Sequence, residues 1–166
     1  TILMQFIILA AFFLDAYAFS TEGIIGYSIG RRNKTSFLQV VKNSIQLSLF
    51  TAILISILYL IFFKEIINII TGIEILRFIS YQHFIWIIII PPVASFCYQL
   101  DGIFIGASQT KEIRNAMIIS VIIFLFASVY LTNYFDNHGL WFSLMFFMIL
   151  RALTLRFYFS KILRKF

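Results

Sequence analysis

Residues 78–100 read FISYQHFIWIIIIPPVASFCYQL, and Asp101 follows directly. No Asp, Glu, Lys or Arg interrupts these twenty-three positions. About 20 such residues, wound as an α-helix at 1.5 Å per residue, cross ~30 Å of hydrocarbon. The stretch shows no period-two alternation and is longer than the ~10 residues of a barrel strand, so it reads as a membrane helix. Two more runs lack these charges, Asn43–Phe63 and Asn115–Phe135. Two others are apolar but carry ionisable residues: Thr1–Gly30 holds Asp15 and Glu22, and Gly139–Ser160 holds Arg151 and Arg156. The fold class expected is all-α: a polytopic transmembrane helix bundle of five spans, near residues 8–30, 43–65, 78–108, 113–134 and 138–160.

Composition agrees. The 166 residues are 61% hydrophobic and only 12% charged, against about half and a quarter in soluble domains. That excludes a disordered chain, a disulfide scaffold and a free-standing soluble enzyme. The single cysteine, Cys97, cannot form a disulfide within the chain. The net charge of +6 does not point to nucleic acid, because the bases lie between apolar runs rather than along an aromatic-studded stripe. Arg31, Arg32, Lys34 and Lys42 crowd the first connector, Lys111 and Arg114 the third, and Lys161, Arg164 and Lys165 the tail. Alternating crossings put all of these on one side, expected to be cytoplasmic, with the first residue outside and the C-terminus inside. Residue 1 is Thr, within an apolar run that has no basic leader or cleavage site. The expectation is therefore a chain whose true start lies upstream, not a signal peptide.

Charge within a bilayer is costly, so the intramembrane carboxylates Asp15, Glu22 and Asp101 are the first functional candidates, for a proton or a coupling cation. Asp15 and Glu22 are seven apart and share a helix face with Ala11, Ala18 and Gly26. Such a stripe fits another helix or a wet cavity; buried, protonated acids on a packing face are the alternative. Gly102 and Gly106 form a GxxxG beside Asp101, and Gly26 and Gly30 form another, the spacing of close helix packing. Pro91 and Pro92 cannot donate to the carbonyls of Ile87 and Ile88, so a broken helix is expected there. It would serve either as a transporter's hinge or as a static kink filled by neighbours. Arg151 lies ten residues before Lys161, ~15 Å along a helix and too deep to snorkel with ease. It is expected to pair with a carboxylate or with helix-end carbonyls. Arg156 is close enough to the basic side to anchor at the interface. Trp141 stands where an interfacial aromatic belongs, Trp86 less clearly so. His83 and His138 stand alone, without ligand spacing for a metal.

These residues resemble a known family. Phe12-Phe-Leu-Asp-Ala-Tyr-Ala-Phe-Ser-Thr-Glu-Gly-Ile-Ile-Gly26, running to Gly30-Arg31, is similar to the eighth helix of MATE (multidrug and toxic compound extrusion) transporters, in their DinF-like branch. Gln99-Leu-Asp-Gly-Ile-Phe-Ile-Gly106, then Thr110-Lys-Glu-Ile-Arg-Asn-Ala-Met117, resembles the tenth helix and the turn into the eleventh. Asn137-His-Gly-Leu-Trp141, then Leu150-Arg-Ala-Leu153, resembles the start and middle of the twelfth. Ala16 departs from an expected glycine, and Ser20-Thr21 from small alanines.

The resemblance implies helices eight to twelve of a twelve-helix fold, most of its C-terminal lobe, without the N-terminal lobe. It implies a multi-pass protein of the bacterial inner membrane, whose partners are the lipid bilayer, small organic cations and the missing lobe. Its activity would be multidrug efflux by antiport, with no cofactor beyond H⁺ or Na⁺ as coupling ion. Asp101 matches an acid implicated in coupling in part of the family, and Asp15 and Glu22 match acids typical of the branch. A further proton site is implied on the first helix, outside this sequence. The alternatives are a lipid-linked-sugar flippase of the same superfamily and a structural membrane subunit. The former would want several buried cations where this chain has mainly acids. The motifs of intramembrane aspartyl and serine proteases are missing.

Overall fold

A computed structural model describes residues 2–166. Residue 1, whose outward placement was expected, lies outside the described residues. The chain is helical from end to end. In hydrocarbon every backbone N–H and C=O must be satisfied within the segment, and only a helix does this for an isolated apolar run, even one rich in β-branched Ile. Five helices result: α1 (Ile2–Gly30), α2 (Lys34–Ile70), α3 (Glu74–Gln82), α4 (Phe84–Gly106) and α5 (Thr110–Leu163).

The α5 segment is two antiparallel limbs. Asp136 sits at φ 48°, ψ −130° and turns the chain back on itself. Phe124 packs edge-on to Phe147 at 5.8 Å between ring centres, and Gly139 lies directly on the Leu131 backbone. The limbs, 110–135 and 137–163, correspond to the fourth and fifth expected spans.

The third span differs from expectation. The helix is not broken at Pro91 and Pro92, which lie inside α4; it is interrupted at His83. Both outcomes have local causes. Pro92 frees the Ile88 carbonyl, and Ser56 of α2 donates its hydroxyl to that oxygen at 2.8 Å. The kink is thus filled by a neighbour. At His83 the ring takes the Ile79 carbonyl at 2.9 Å, and the His83 amide bonds Ser80 O instead. A side chain here replaces the amide that would have continued the helix.

The turns at the other end are alike. Asn33 N–H bonds Ser28 O and Arg32 N–H bonds Ile29 O; Gln109 and Ser108 repeat this pattern on Phe104 and Ile105. Arg32 and Ser108 take left-handed conformations at φ 51° and 54°, the αL cap that ends a helix. Asn33 then caps α2 by accepting the Ser36 N–H. The Phe37 ring meets Phe159 and Phe166, so the start of α2 and the chain's C-terminal end lie together. The first connector, the third connector and the tail therefore gather at one end, called here the basic end.

Two apolar cores are stacked along the bundle. The core at the far end is built on Phe6, Leu14, Tyr59, Phe63, Ile90 and Met148. The core at the basic end is built on Ile25, Phe37, Ile103, Phe104, Leu155 and Ile162. Along each helix the chain passes from one core to the other through polar residues: Asp15 to Thr21, Ser48, Cys97 to Asp101, and Arg151.

Candidate functional site

The site is this polar layer. It begins with the close contact between α1 and α4. A Cβ on Gly102 would meet the Ala18 carbonyl at 2.5 Å, and one on Gly106 would meet Glu22 Cα at 3.0 Å. Gly26 is in ordinary contact, its Cβ position 3.4 Å from Gly106 O. The small residues on the Asp15–Glu22 face thus seat α1 on the glycines of α4. Gly30 has open space around it and takes no part in this contact.

Packing at that distance carries Asp101 into the layer. Arg151, from the second limb of α5, meets it: Nη2 donates to Oδ2 at 2.8 Å. The expected partner of Arg151 is thus a carboxylate. Both side chains are largely buried, at 18% and 16% exposure. Asp101 Oδ1 and Arg151 Nε are buried and have no hydrogen-bond partner among the described residues. Asp15, half-buried on α1, and Tyr98 lie within electrostatic reach of the pair. Cys97 is a buried free thiol beside it.

Glu22 is not brought into the cluster. It is two turns, about 10 Å, further along α1, and forms no ion pair among the described residues. Pro91 and Pro92 lie at least two turns before Asp101 within the same continuous helix.

Sequence reasoning passed over a second polar link in the layer. Gln99 is fully buried on α4, and its Oε1 accepts from Thr21 Oγ1 at 3.0 Å. The same hydroxyl reaches the Tyr17 carbonyl at 2.8 Å, and Gln99 Nε2 is left without a partner. Tyr17 in turn accepts from Thr51 of α2 through its hydroxyl. The only sequence signal was a glutamine inside an apolar run.

At the far end His83 and His138, which looked solitary, stack at 4.3 Å between ring centres. Trp86 Nε1 donates to His138 Nδ1 at 3.0 Å. Trp141 is not an interfacial belt residue facing outward; it is 7% exposed, because the α5 turn brings it into the far core. No group of three or more His, Cys, Asp or Glu that could hold a metal occurs among the described residues.

Charged side chains buried between membrane-length helices are costly, which makes this layer the candidate site. Residues 1–134 match the MatE family model. Over 154 residues the chain is 33% identical to DNA damage-inducible protein F of Escherichia coli (strain K12), covering 93% of this chain and 33% of that protein. The chain thus spans about a third of the length of the curated relative it matches. No solved structure matches it. The chain belongs to the MatE family of membrane transporters.

Proposed function

We propose that the chain is part of a secondary active antiporter that exports organic, cationic compounds in exchange for H⁺ or Na⁺. The observation that carries the proposal is the Asp101–Arg151 pair, buried, incompletely satisfied and within reach of Asp15. Its charge balance supports a cationic substrate. Asp101 and Arg151 cancel, leaving Asp15 as the uncompensated charge of the cluster. A lipid-linked phosphate would want the opposite excess.

The pair also supplies a mechanism. A proton or cation on Asp101 removes the partner of Arg151. An unpaired guanidinium in a mostly apolar layer is costly, so the packing of the second α5 limb on α4 is no longer the favoured one. A ligand that changes the relative cost of two packings shifts their populations, which is what alternating access requires. In this reading Asp101 is the coupling residue, Asp15 attracts the cation, Gly102 and Gly106 hold α1 on α4, and Glu22 acts outside the cluster. The basic end is cytoplasmic, in a bacterial inner membrane, and the other lobe completes the cavity.

The test is drug susceptibility of cells making the protein, whole as its gene encodes it, with Asp101→Asn or Asp15→Asn. Both variants should lose most of their protection against cationic compounds at normal expression. Full efflux by both would remove the coupling role.

A further inference from the structure

A groove of about 550 Å³ runs between α2, α4 and the second limb of α5, on the side of the bundle away from α1. Its wall on α4 is Pro92, Phe96 and Leu100, spaced to lie on one helix face. On α5 the wall is Ile149 and Leu153, and the same stripe ends at Arg156. On α2 it is Ile45 and Leu49. Lys42 stands three and seven residues before these two, so it lies on the same face, one turn nearer the basic end. The three stripes lie side by side along the bundle, the α2 stripe antiparallel to the other two. The groove is therefore apolar along its length and opens, at the basic end, between two cations.

We propose that this groove is a binding site for an anionic phospholipid. One acyl chain lies against Leu49, Phe96 and Leu153, and the headgroup phosphate is held by Arg156 and Lys42. Three features favour this occupant. The lining has no hydrogen-bonding group except Arg156, so a polar drug would find no partner along the walls. Arg156 is exposed, stacks over Phe159 at 5.5 Å and is engaged in no ion pair among the described residues, so its charge is free for a phosphate. Its depth also fits: it is five residues, about 8 Å of helix, inside Lys161. Basic pockets between membrane helices on the cytoplasmic side recognise lipid headgroups in this way. Which leaflet supplies the lipid follows from the proposed orientation, but binding itself does not depend on it. A lipid there would press on the segment of α4 between the Ser56-filled kink and Asp101.

The test is native mass spectrometry of the whole protein, in detergent with equal phosphatidylglycerol and phosphatidylethanolamine of identical acyl chains. The expected result is preferential retention of phosphatidylglycerol. Arg156→Gln and Lys42→Gln should each reduce that preference about five-fold, the contribution of one cation near a lipid surface. Both are exposed positions, and thermal melting confirms that the variants fold. Leu49→Trp, which fills the groove, should reduce retention of both lipids. Equal retention of the two lipids, or a preference unchanged in both charge variants, overturns the proposal. So does finding no lipid adduct, the result expected if another helix of the protein covers the groove.

Discussion

Two ion pairs fix the second limb of α5, and they are built differently. Lys161 meets Glu112 on the first limb at 3.1 Å, at the basic end, with the lysine half exposed. Turning the Gln109 amide lets it donate to Glu112 Oε2 at 2.8 Å and accept from Lys165, so that pair is embedded in a satisfied network. Arg151 meets Asp101 in the middle of the bundle, where Asp101 Oδ1 and Arg151 Nε have no further partner among the described residues. Glu112 is itself buried, but Lys161 reaches water and Gln109 and Lys165 stand beside the carboxylate, so the loss of the first pair can be compensated. Among the described residues the second is the one ion pair that either of its charges makes, and a buried pair is strongly destabilised when one member is removed. A fold that needs only fastening has no reason to bury both members of a charge pair between two apolar cores. That difference is why the second pair is assigned to coupling and the first is not.

The largest effect should come from breaking the inner pair one member at a time. Arg151→Met or Asp101→Ala should cost on the order of 3 kcal/mol in detergent melting, whereas the double variant should recover most of it. Additive losses would mean that the two charges act independently. Next comes the seat of Asp101. Gly102→Ala places a methyl 2.5 Å from the Ala18 carbonyl, so α4 must move off α1, at about 1–3 kcal/mol. Gly26→Ala, at 3.4 Å, should be nearly silent by the same measurement.

The outer pair should give a smaller effect that depends on pH. Burial works to raise the Glu112 carboxyl, but the hydrogen bond from Lys161, its own backbone amide and the charges of Lys161 and Lys111 outweigh it and hold it below its ordinary 4.5. A lowered carboxylate contributes stability that is present above its unfolded pKa and is lost as the pH falls through its folded value. Glu112→Gln should therefore lower stability by up to about 1 kcal/mol near neutral pH, with the gap to wild type closing in acid. A gap that stayed constant with pH would show that packing, not charge, is what the variant removed. Smallest is the turn that brings both limbs together. Asp136→Gly puts a permissive residue at φ 48° and should raise the melting temperature slightly, a gain of up to about 1 kcal/mol.

How far the sequence could be read follows from the same physics. Charges are expensive in hydrocarbon, so charge-free runs marked the spans, and Arg151 announced that it needed a partner. Which carboxylate it would find depended on how α5 folds back over α4, which no local pattern encodes. The helix break expected at the prolines did not occur for a similar reason. The missing donor to Ile88 is a local fact, but the Ser56 hydroxyl that replaces it comes from another helix. The real interruption at His83 rests on one ring bonding one carbonyl, and its stacking on His138 exists only once the Asp136 turn is made. Trp141 looked interfacial because its place in the span was legible and its direction was not.

The central claim is that the inner pair couples an ion gradient to transport and the outer pair does not. The direct measurement is substrate-induced proton or sodium flux in proteoliposomes of the whole protein, comparing Asp101→Asn with Glu112→Gln. The account predicts that Asp101→Asn still binds substrate but loses coupled flux, while Glu112→Gln retains it. Coupled flux of normal size through Asp101→Asn would contradict it.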